Sequence, residues 1–413
     1  MKTVGELMDF GPLIKYYRTQ RGMTQKELAE GICSIPHLSK IEHNSKEGNK
    51  ETIALLLERL GVKIEDVAGQ EKEIKTLLDD FDDKMTFQIK TEADRIYSRL
   101  KELGGLIPFT PYIYTYELYK YRYMLFKGED VAAEVQHDLL KKHLKNFSRQ
   151  ERNLFDYFTS IYLMRQARYH QADLILEKLD EEFAVGINNG EFLYHRAFAK
   201  SHMLQPGHVI HFGKKALQHF MEQHNFKRIL HTLMLLGINF THSKIYEEAS
   251  SCFEHLIRNA ELLKETNLLP QIYHNMGFLQ RKMNRSEDAV RFFEKSLSMQ
   301  EEKNINYLVT LYAIGETKHS EGERKEAKQC FEEVLELAEK LESNKYLLLS
   351  TFYLMLEDAD PKAFELLETK VIPLLEEGKE HRDDLEHFYK FLANYFIKME
   401  MFEKAVYYLN KIS

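Results

Sequence analysis

At 413 residues the chain is too long for one compact core, and its 8 Pro, 19 Gly and 44% hydrophobic residues suit long helices better than a loop-rich β protein. A formal net charge of −8 excludes a polycation, and three widely spaced cysteines (Cys33, Cys252, Cys330) exclude a zinc ribbon or a disulfide framework. The opening MKTVGELMDFGPLIKYY has no apolar run of signal-peptide length, and nowhere is there a run of about 18 apolar residues, so the expectation is a cytoplasmic chain with no membrane partner. In residues 1–70 seven Lys and three Arg balance two Asp and eight Glu, so the whole acidic excess lies in residues 71–413. Any contact with nucleic acid therefore belongs to the front of the chain.

That front reads as a small helical bundle. Leu13, Ile14 and Tyr17 mark one face of a first helix, and Gly22–Met23 break it. Thr24 followed by Glu27 is a capping-box pattern that starts a second helix, with Leu28 and Ala29 inward. After a turn near Gly31–Cys33, Ser34 caps a third helix with Pro36 in its first turn, anchored by Leu38 and Ile41. Ile35, His37, Ser39 and Lys40 then face outward. A further helix runs from about Asn49 to Leu60, with Ile53, Leu56, Leu57 and Leu60 inward.

These residues resemble the Cro/phage-repressor helix-turn-helix class. The match is Arg18–x5–Thr24–Gln25–Lys26–Glu27–Leu28–Ala29, then Leu38–Ser39–Lys40–Ile41–Glu42, then Leu60–Gly61–Val62. The resemblance implies double-stranded DNA as partner, with Thr24 and Gln25 near phosphate and residues 34–40 entering the major groove. The DNA-contact candidates are accordingly Thr24, Gln25, Ser34, Ile35, His37, Ser39 and Lys40. Two departures stand out: Ile35–Pro36 is apolar where many relatives carry polar readers, and His43–Asn49 replaces the usual Gly-x-x-x-Pro turn.

Beyond residue 71 the dominant signal is internal repetition. Gly237, Gly277 and Gly315 are each followed twelve residues later by Ala249, Ala289 or Ala327, and four residues further on by Phe253, Phe293 or Phe331. This is the Gly–Ala–Phe skeleton of a tetratricopeptide repeat with a lengthened second helix. Small residues are expected where the two helices of a unit cross, and Phe is expected to fill the gap toward the next unit. Weaker copies carry Tyr121/Ala133, Ser160/Ala172/Leu176, Ala197/Val209/Gly213 with Ala216 behind them, Ala363/Leu367 and Ala393/Ala405/Leu409, giving about eight or nine helix pairs. Residues 71–102 read as one more helical stretch, either a repeat or a linker helix, and Leu103–Pro111 is the clearest break. The expected organisation is all-α: a helix-turn-helix domain over 1–70 and a right-handed tetratricopeptide superhelix over 71–413, with a groove lined by the first helix of each pair.

The combination resembles the Rap/NprR/PlcR/PrgX group of bacterial peptide-sensing regulators, with an array about as long as that of NprR. The resemblance implies a short imported signalling peptide in the groove, homodimerisation and control of transcription. A side-chain amide can donate to and accept from a peptide backbone, which makes Asn275, on the inner helix face two residues before Gly277, the leading contact. Gln271, His274, Phe278 and Arg281 share or flank that face, Glu316 and His319 take comparable places in the next unit, and Asn239 follows Gly237. Tyr194, His195 and Phe198 occupy earlier inner positions, and Asn394 and Lys398 later ones.

Eighteen histidines form no HExxH and no zinc-like Cys/His quartet, and neither a phosphate-binding Gly loop nor a nucleophile elbow is present. The expectation is a non-enzyme without metal or cofactor. An alternative also follows from the resemblance: an adaptor that binds and sequesters a response regulator or other signalling protein. Rap-type dephosphorylation of a response regulator needs an N-terminal bundle presenting Gln, and here a helix-turn-helix stands in that place.

Overall fold

The computed structural model describes residues 10–43, 49–181, 187–377 and 382–412, and among these there is no strand. The segment 44–48, most of the replaced turn, lies outside the described residues. The front bundle consists of α1 (Phe10–Gln20), α2 (Gln25–Ala29), α3 (Ile35–Glu42) and α4 (Lys50–Arg59). The helical stretch expected over 71–102 falls in a pair of helices, α5 (Ile64–Thr86) and α6 (Lys90–Glu102), reversed at Gln88, whose φ is 59°. After a short turn at Ile107–Phe109 come α7 (Ile113–Lys127), α8 (Asp130–Lys142), α9 (Arg149–Arg165), α10 (Tyr169–Glu181), α11 (Asn189–His202) and α12 (Pro206–Glu222). Then follow α13 (Phe226–His242), α14 (Tyr246–Leu262), α15 (Leu269–Lys282), α16 (Ser286–Ser298), α17 (Ile305–Ser320) and α18 (Arg324–Lys340). The chain closes with α19 (Asn344–Glu357), α20 (Lys362–Leu366), a π turn at Leu367–Val371, α21 (Ile372–Glu377), α22 (Arg382–Lys398) and α23 (Phe402–Asn410). No described helix is long and apolar enough to cross a membrane.

The pairing of helices is written into the backbone. Gly128, Ala167, Leu204, Lys244, Asn284, Gly322, Ala359 and Glu400 all have positive φ, and they recur every 37–41 residues at the turn inside each pair. Most are not glycine, although a left-handed residue with a Cβ costs about 1 kcal/mol. Helix-closing hydrogen bonds offset that cost: Arg168 N donates to Leu163 O at 2.9 Å and Ala167 N to Met164 O at 3.0 Å, and Arg285 and Asn284 repeat the pattern on Gln280 and Arg281. Eight pairs thus follow the α5–α6 hairpin among the described residues.

The glycines sit where helices touch. A Cβ on Gly237, Gly277 or Gly315 would meet the ring of Phe253, Phe293 or Phe331 at 2.7, 2.6 and 2.9 Å. Phe therefore packs first on the glycine of its own pair, a correction to the expectation that it mainly fills the gap to the next. It does the second job too: Phe331 stacks on Tyr353 of the next pair, with centroids 4.5 Å apart. In the α22–α23 pair, Leu409 at the equivalent place is 45% exposed.

The chain divides into two compact units, Met1–Met203 with Lys215–Ile229, and Leu204–Lys214 with Leu230–Ser413. In the first unit the front bundle closes over Ile14, Leu28, Leu38, Ile41, Leu56 and Leu57. Helix α1 also serves a second core: Leu13 packs with Val67, Ile74, Leu78 and Phe81 of α5, and Tyr16 lies against Phe109. The front bundle is thus bolted to the α5–α6 hairpin through α1. The second unit has its largest core over α17–α23, where Phe331, Val334, Phe352, Leu367 and Leu392 are fully buried.

Candidate functional site

Local sequence fixes the front surface. Thr24 accepts from Glu27 N at 3.2 Å while the Glu27 carboxylate takes Thr24 N at 2.6 Å, a completed capping box at the start of α2. Ser34 caps α3 by accepting from His37 N at 3.3 Å. Arg59 of α4 closes the other end of α2, donating to the Leu28 carbonyl at 3.1 Å and to that of Glu30. Glu42 holds the three front helices together: Arg18 grips it at 2.6 and 3.0 Å and Gln25 Nε2 donates to it at 2.8 Å. Burial opposes the charge on Glu42, but the hydrogen bonds from Arg18 and Gln25 outweigh it and hold its pKa below the ordinary value. The charge of this acid is balanced inside the bundle. Of the seven predicted contacts, Thr24, Ser34, Ile35 and Lys40 are exposed, and Gln25, His37 and Ser39 are half-buried. They share the α2–α3 surface, with Lys15, Arg21 and Lys26 also exposed on the bundle.

In the second unit, a cleft of about 940 Å3 opens between α15, α16 and α17. Its wall is rich in carboxamides: Asn267, Gln271, Asn275, Gln300, Asn304 and Asn306. Asn304 caps α17 through Asn306 N at 2.9 Å, and Asn275 Nδ2 reaches only the Met234 thioether, at 3.2 Å. The side-chain amides of Asn267, Gln271 and Asn306 have no partner among the described residues. His274 also lines the cleft and is tied to Thr310 Oγ1 at 3.0 Å. Burial, and then the nearby Arg281 charge, push its pKa down to about 4, so it stands neutral at physiological pH.

The other predicted peptide contacts lie elsewhere. Phe278 is half-buried beneath the Arg281 guanidinium, 5.3 Å from its ring centroid. Arg281 pairs with Glu316 at 2.7 Å, and the Tyr312 and Tyr353 hydroxyls donate to the same carboxylate at 2.9 and 3.3 Å. Burial would raise the Glu316 pKa, but Arg281, His387 and these hydrogen bonds hold it below the ordinary value. His319 is bound to Glu357 and lines a second cleft. Asn239 does not join them: it is 3% exposed and its amide donates to Leu235 O at 2.8 Å within α13.

The helix-turn-helix family matches residues 14–67, and the tetratricopeptide repeat matches residues 270–303 and 309–341. The transcriptional activator NprA of Geobacillus stearothermophilus is 23% identical over 391 residues, 92% of this chain and 96% of its own length. The regulatory protein RapD of Bacillus subtilis (strain 168) is 29% identical over 61% of this chain and 73% of its own. The solved apo form of the quorum sensor NprR from B. thuringiensis aligns with a TM-score of 0.70 at 25% identity, covering 83% of this chain and 98% of that one. The NprR structure in complex with its cognate peptide NprX aligns at 0.64, again at 25% identity, covering 82% of this chain and 98% of that one.

In sequence and fold the chain is similar to the NprR and Rap proteins. A second charge centre, which the sequence pattern does not reveal, lies in the first unit. Glu191 of α11 is shared by Arg122 of α7, at 2.7 Å, and by Arg228 of α13. Arg122 also holds the Asp82 carboxylate and donates to Thr86 Oγ1 at 2.9 Å, which pins the end of α5. Asn225 adds a bond to the Thr86 carbonyl at 3.0 Å. Beside this centre, Tyr157 and His195 share a hydrogen bond of 2.7 Å, and burial with the Arg228 charge drives the His195 pKa down to about 3. Glu191 and Arg122 are 69 residues apart, and no short-range pattern announces such a pair. Tyr312 and Tyr353 could have been found, because each falls on the inner face of a repeat helix.

Proposed function

We propose that this chain is a transcriptional regulator that binds operator DNA through the α2–α3 surface and is controlled by a short peptide held in the carboxamide-lined cleft. The observation that carries the reading is the set of unengaged amides in a 940 Å3 cleft, in a chain that also presents a capped reader helix. Amides of this kind can meet both the N–H and the C=O of an extended backbone without demanding a particular side chain. The architecture shared with NprR, crystallised with its cognate peptide NprX, supports the same reading.

In this reading α3 enters the major groove, with Ser39, Lys40 and His37 nearest the base edges, while Gln25 and Thr24 at the start of α2 approach phosphate. A homodimer places two copies on half-sites about 34–36 Å apart, or a multiple of that. Peptide binds one conformation of the array better than another and so changes DNA affinity by its differential contacts. The setting is the cytoplasm, and no step requires catalysis. The matches to Rap proteins support a second partner, a response regulator held by the array without turnover.

Selection of duplex fragments by the full-length chain, repeated across salt concentrations, tests the DNA half. The selected duplex should bind more weakly as salt rises, and Lys40→Ala should reduce affinity about tenfold. Unchanged binding by Lys40→Ala and Gln25→Ala would reject this docking face. A chain that selects no duplex but retains a response regulator would favour the adaptor reading.

A further inference from the structure

The second cleft has a chemistry unlike that of the first. It has a volume of about 380 Å3, which fits one or two residues of a ligand, and it is bounded by α17, α18, α19, α20 and α22. Its wall is aromatic: Phe364 and Tyr395 stack with centroids 3.7 Å apart, and Phe391 lies 6.1 Å from Phe364. Its polar groups are mostly donors. Asn394 and Lys398 line it one helical turn apart on α22, and neither has a hydrogen-bond or ion-pair partner among the described residues. Arg324 is 79% exposed and only 4.0 Å from Glu357. The one lining acid, Glu357, is 3% exposed and already engaged by His319. An apolar wall with unspent cationic and amide donors suits a group that is apolar at one end and anionic at the other.

Helix α17 borders both clefts. Asn306, Val309 and Thr310 near its start line the larger one, and His319 near its end lines the smaller. The nine residues from Thr310 to His319 rise roughly 13 Å along the helix axis. About four extended residues span that distance.

We infer that the smaller cleft holds the carboxyl-terminal residue of the peptide whose backbone lies in the larger one. The apolar side chain of that residue rests on Phe364, Phe391 and Tyr395. Its α-carboxylate is met by Lys398 Nζ and the Asn394 amide, with Arg324 at the rim. This deepens the peptide reading above and rests on it: it fixes the direction of the bound chain and requires a free carboxyl terminus.

The test uses two pools of random heptapeptides of matched composition, one synthesised as free acids and one as carboxyl-terminal primary amides. Both are equilibrated with the immobilised full-length chain, and the retained peptides are quantified by mass spectrometry. Free acids should be retained about tenfold over amides, with aromatic or branched aliphatic final residues enriched. Lys398→Ala combined with Asn394→Ala should erase that ratio by bringing retention of the free acids down to that of the amides; both residues are exposed, and circular dichroism would verify the fold. Equal retention of acids and amides by the wild-type chain would overturn the inference while leaving the peptide reading intact. A preference for acids that survives the double variant would also overturn it. Retention of neither pool above a bare resin would reject the peptide reading and this inference together.

Discussion

Two buried carboxylates, Glu191 and Glu316, occupy inner faces of repeat helices in the two units, and they are handled differently. Glu191 is 2% exposed and divided between arginines that are themselves only 9% and 10% exposed. Glu316 is 15% exposed, and its single arginine, Arg281, 28%, with tyrosine hydroxyls supplying the remaining hydrogen bonds. The first arrangement is a sealed joint, since removing any member strands a charge without solvent. The second is more accessible, and α15 and α17, which carry Arg281 and Glu316, contribute other residues to the clefts. One scaffold thus holds a sealed clamp on the end of α5 in one unit and a partly open charge centre in the other.

The largest expected effect breaks the clamp. Glu191→Gln should leave Arg228 and Arg122 short of counter-charge and cost about 3–5 kcal/mol in denaturant unfolding. A loss near zero would mean that Glu191 is not a joint. A framework control comes next: Gly277→Ala sets a Cβ 2.6 Å from the Phe293 ring, and Gly190→Ala sets one 2.9 Å from that of Phe220. Each should cost about 1–3 kcal/mol, so that the units differ in their charge centres and not in their helix packing. Strongly unequal costs would locate the difference in the packing itself.

Glu316→Gln keeps neutral hydrogen bonds to the tyrosines in a more accessible setting and should cost about 1–2 kcal/mol, clearly less than the change at Glu191. The smallest effect is a pH slope. An unfolded His takes up its proton near about 6.5, whereas folded His274 refuses it until about 4. Stability should therefore fall as pH drops through that window, by about 1 kcal/mol per pH unit, and His274→Gln should flatten the slope. A slope unchanged in His274→Gln would assign the titration elsewhere.

Much of this was legible in the sequence. Thr24 with Glu27, and Ser34 before Pro36, announce helix starts through local hydrogen bonds, and both caps form as read. Gly277, Ala289 and Phe293 announce a close helix crossing because only small residues permit it. The reversal at Gln88 was not legible, nor were the turns at Ala167, Leu204 and Lys244, because the left-handed backbone there carries side chains that give no sign of it. Gln271, His274 and Asn275 reach the cleft as the inner-face register predicts. Asn239 has a similar spacing to its glycine yet is spent inside α13, since register fixes the side a residue faces but not whether a neighbouring helix covers it. Arg122, Glu191 and Arg228 come together only in three dimensions.

The most direct test is the affinity of the full-length chain for its selected duplex, with and without a saturating amount of a heptapeptide recovered from the free-acid pool. The account predicts a change of about tenfold or more in the wild-type chain, in either direction, and little or none in Asn275→Ala. Equal affinity with and without bound peptide in the wild-type chain would contradict it.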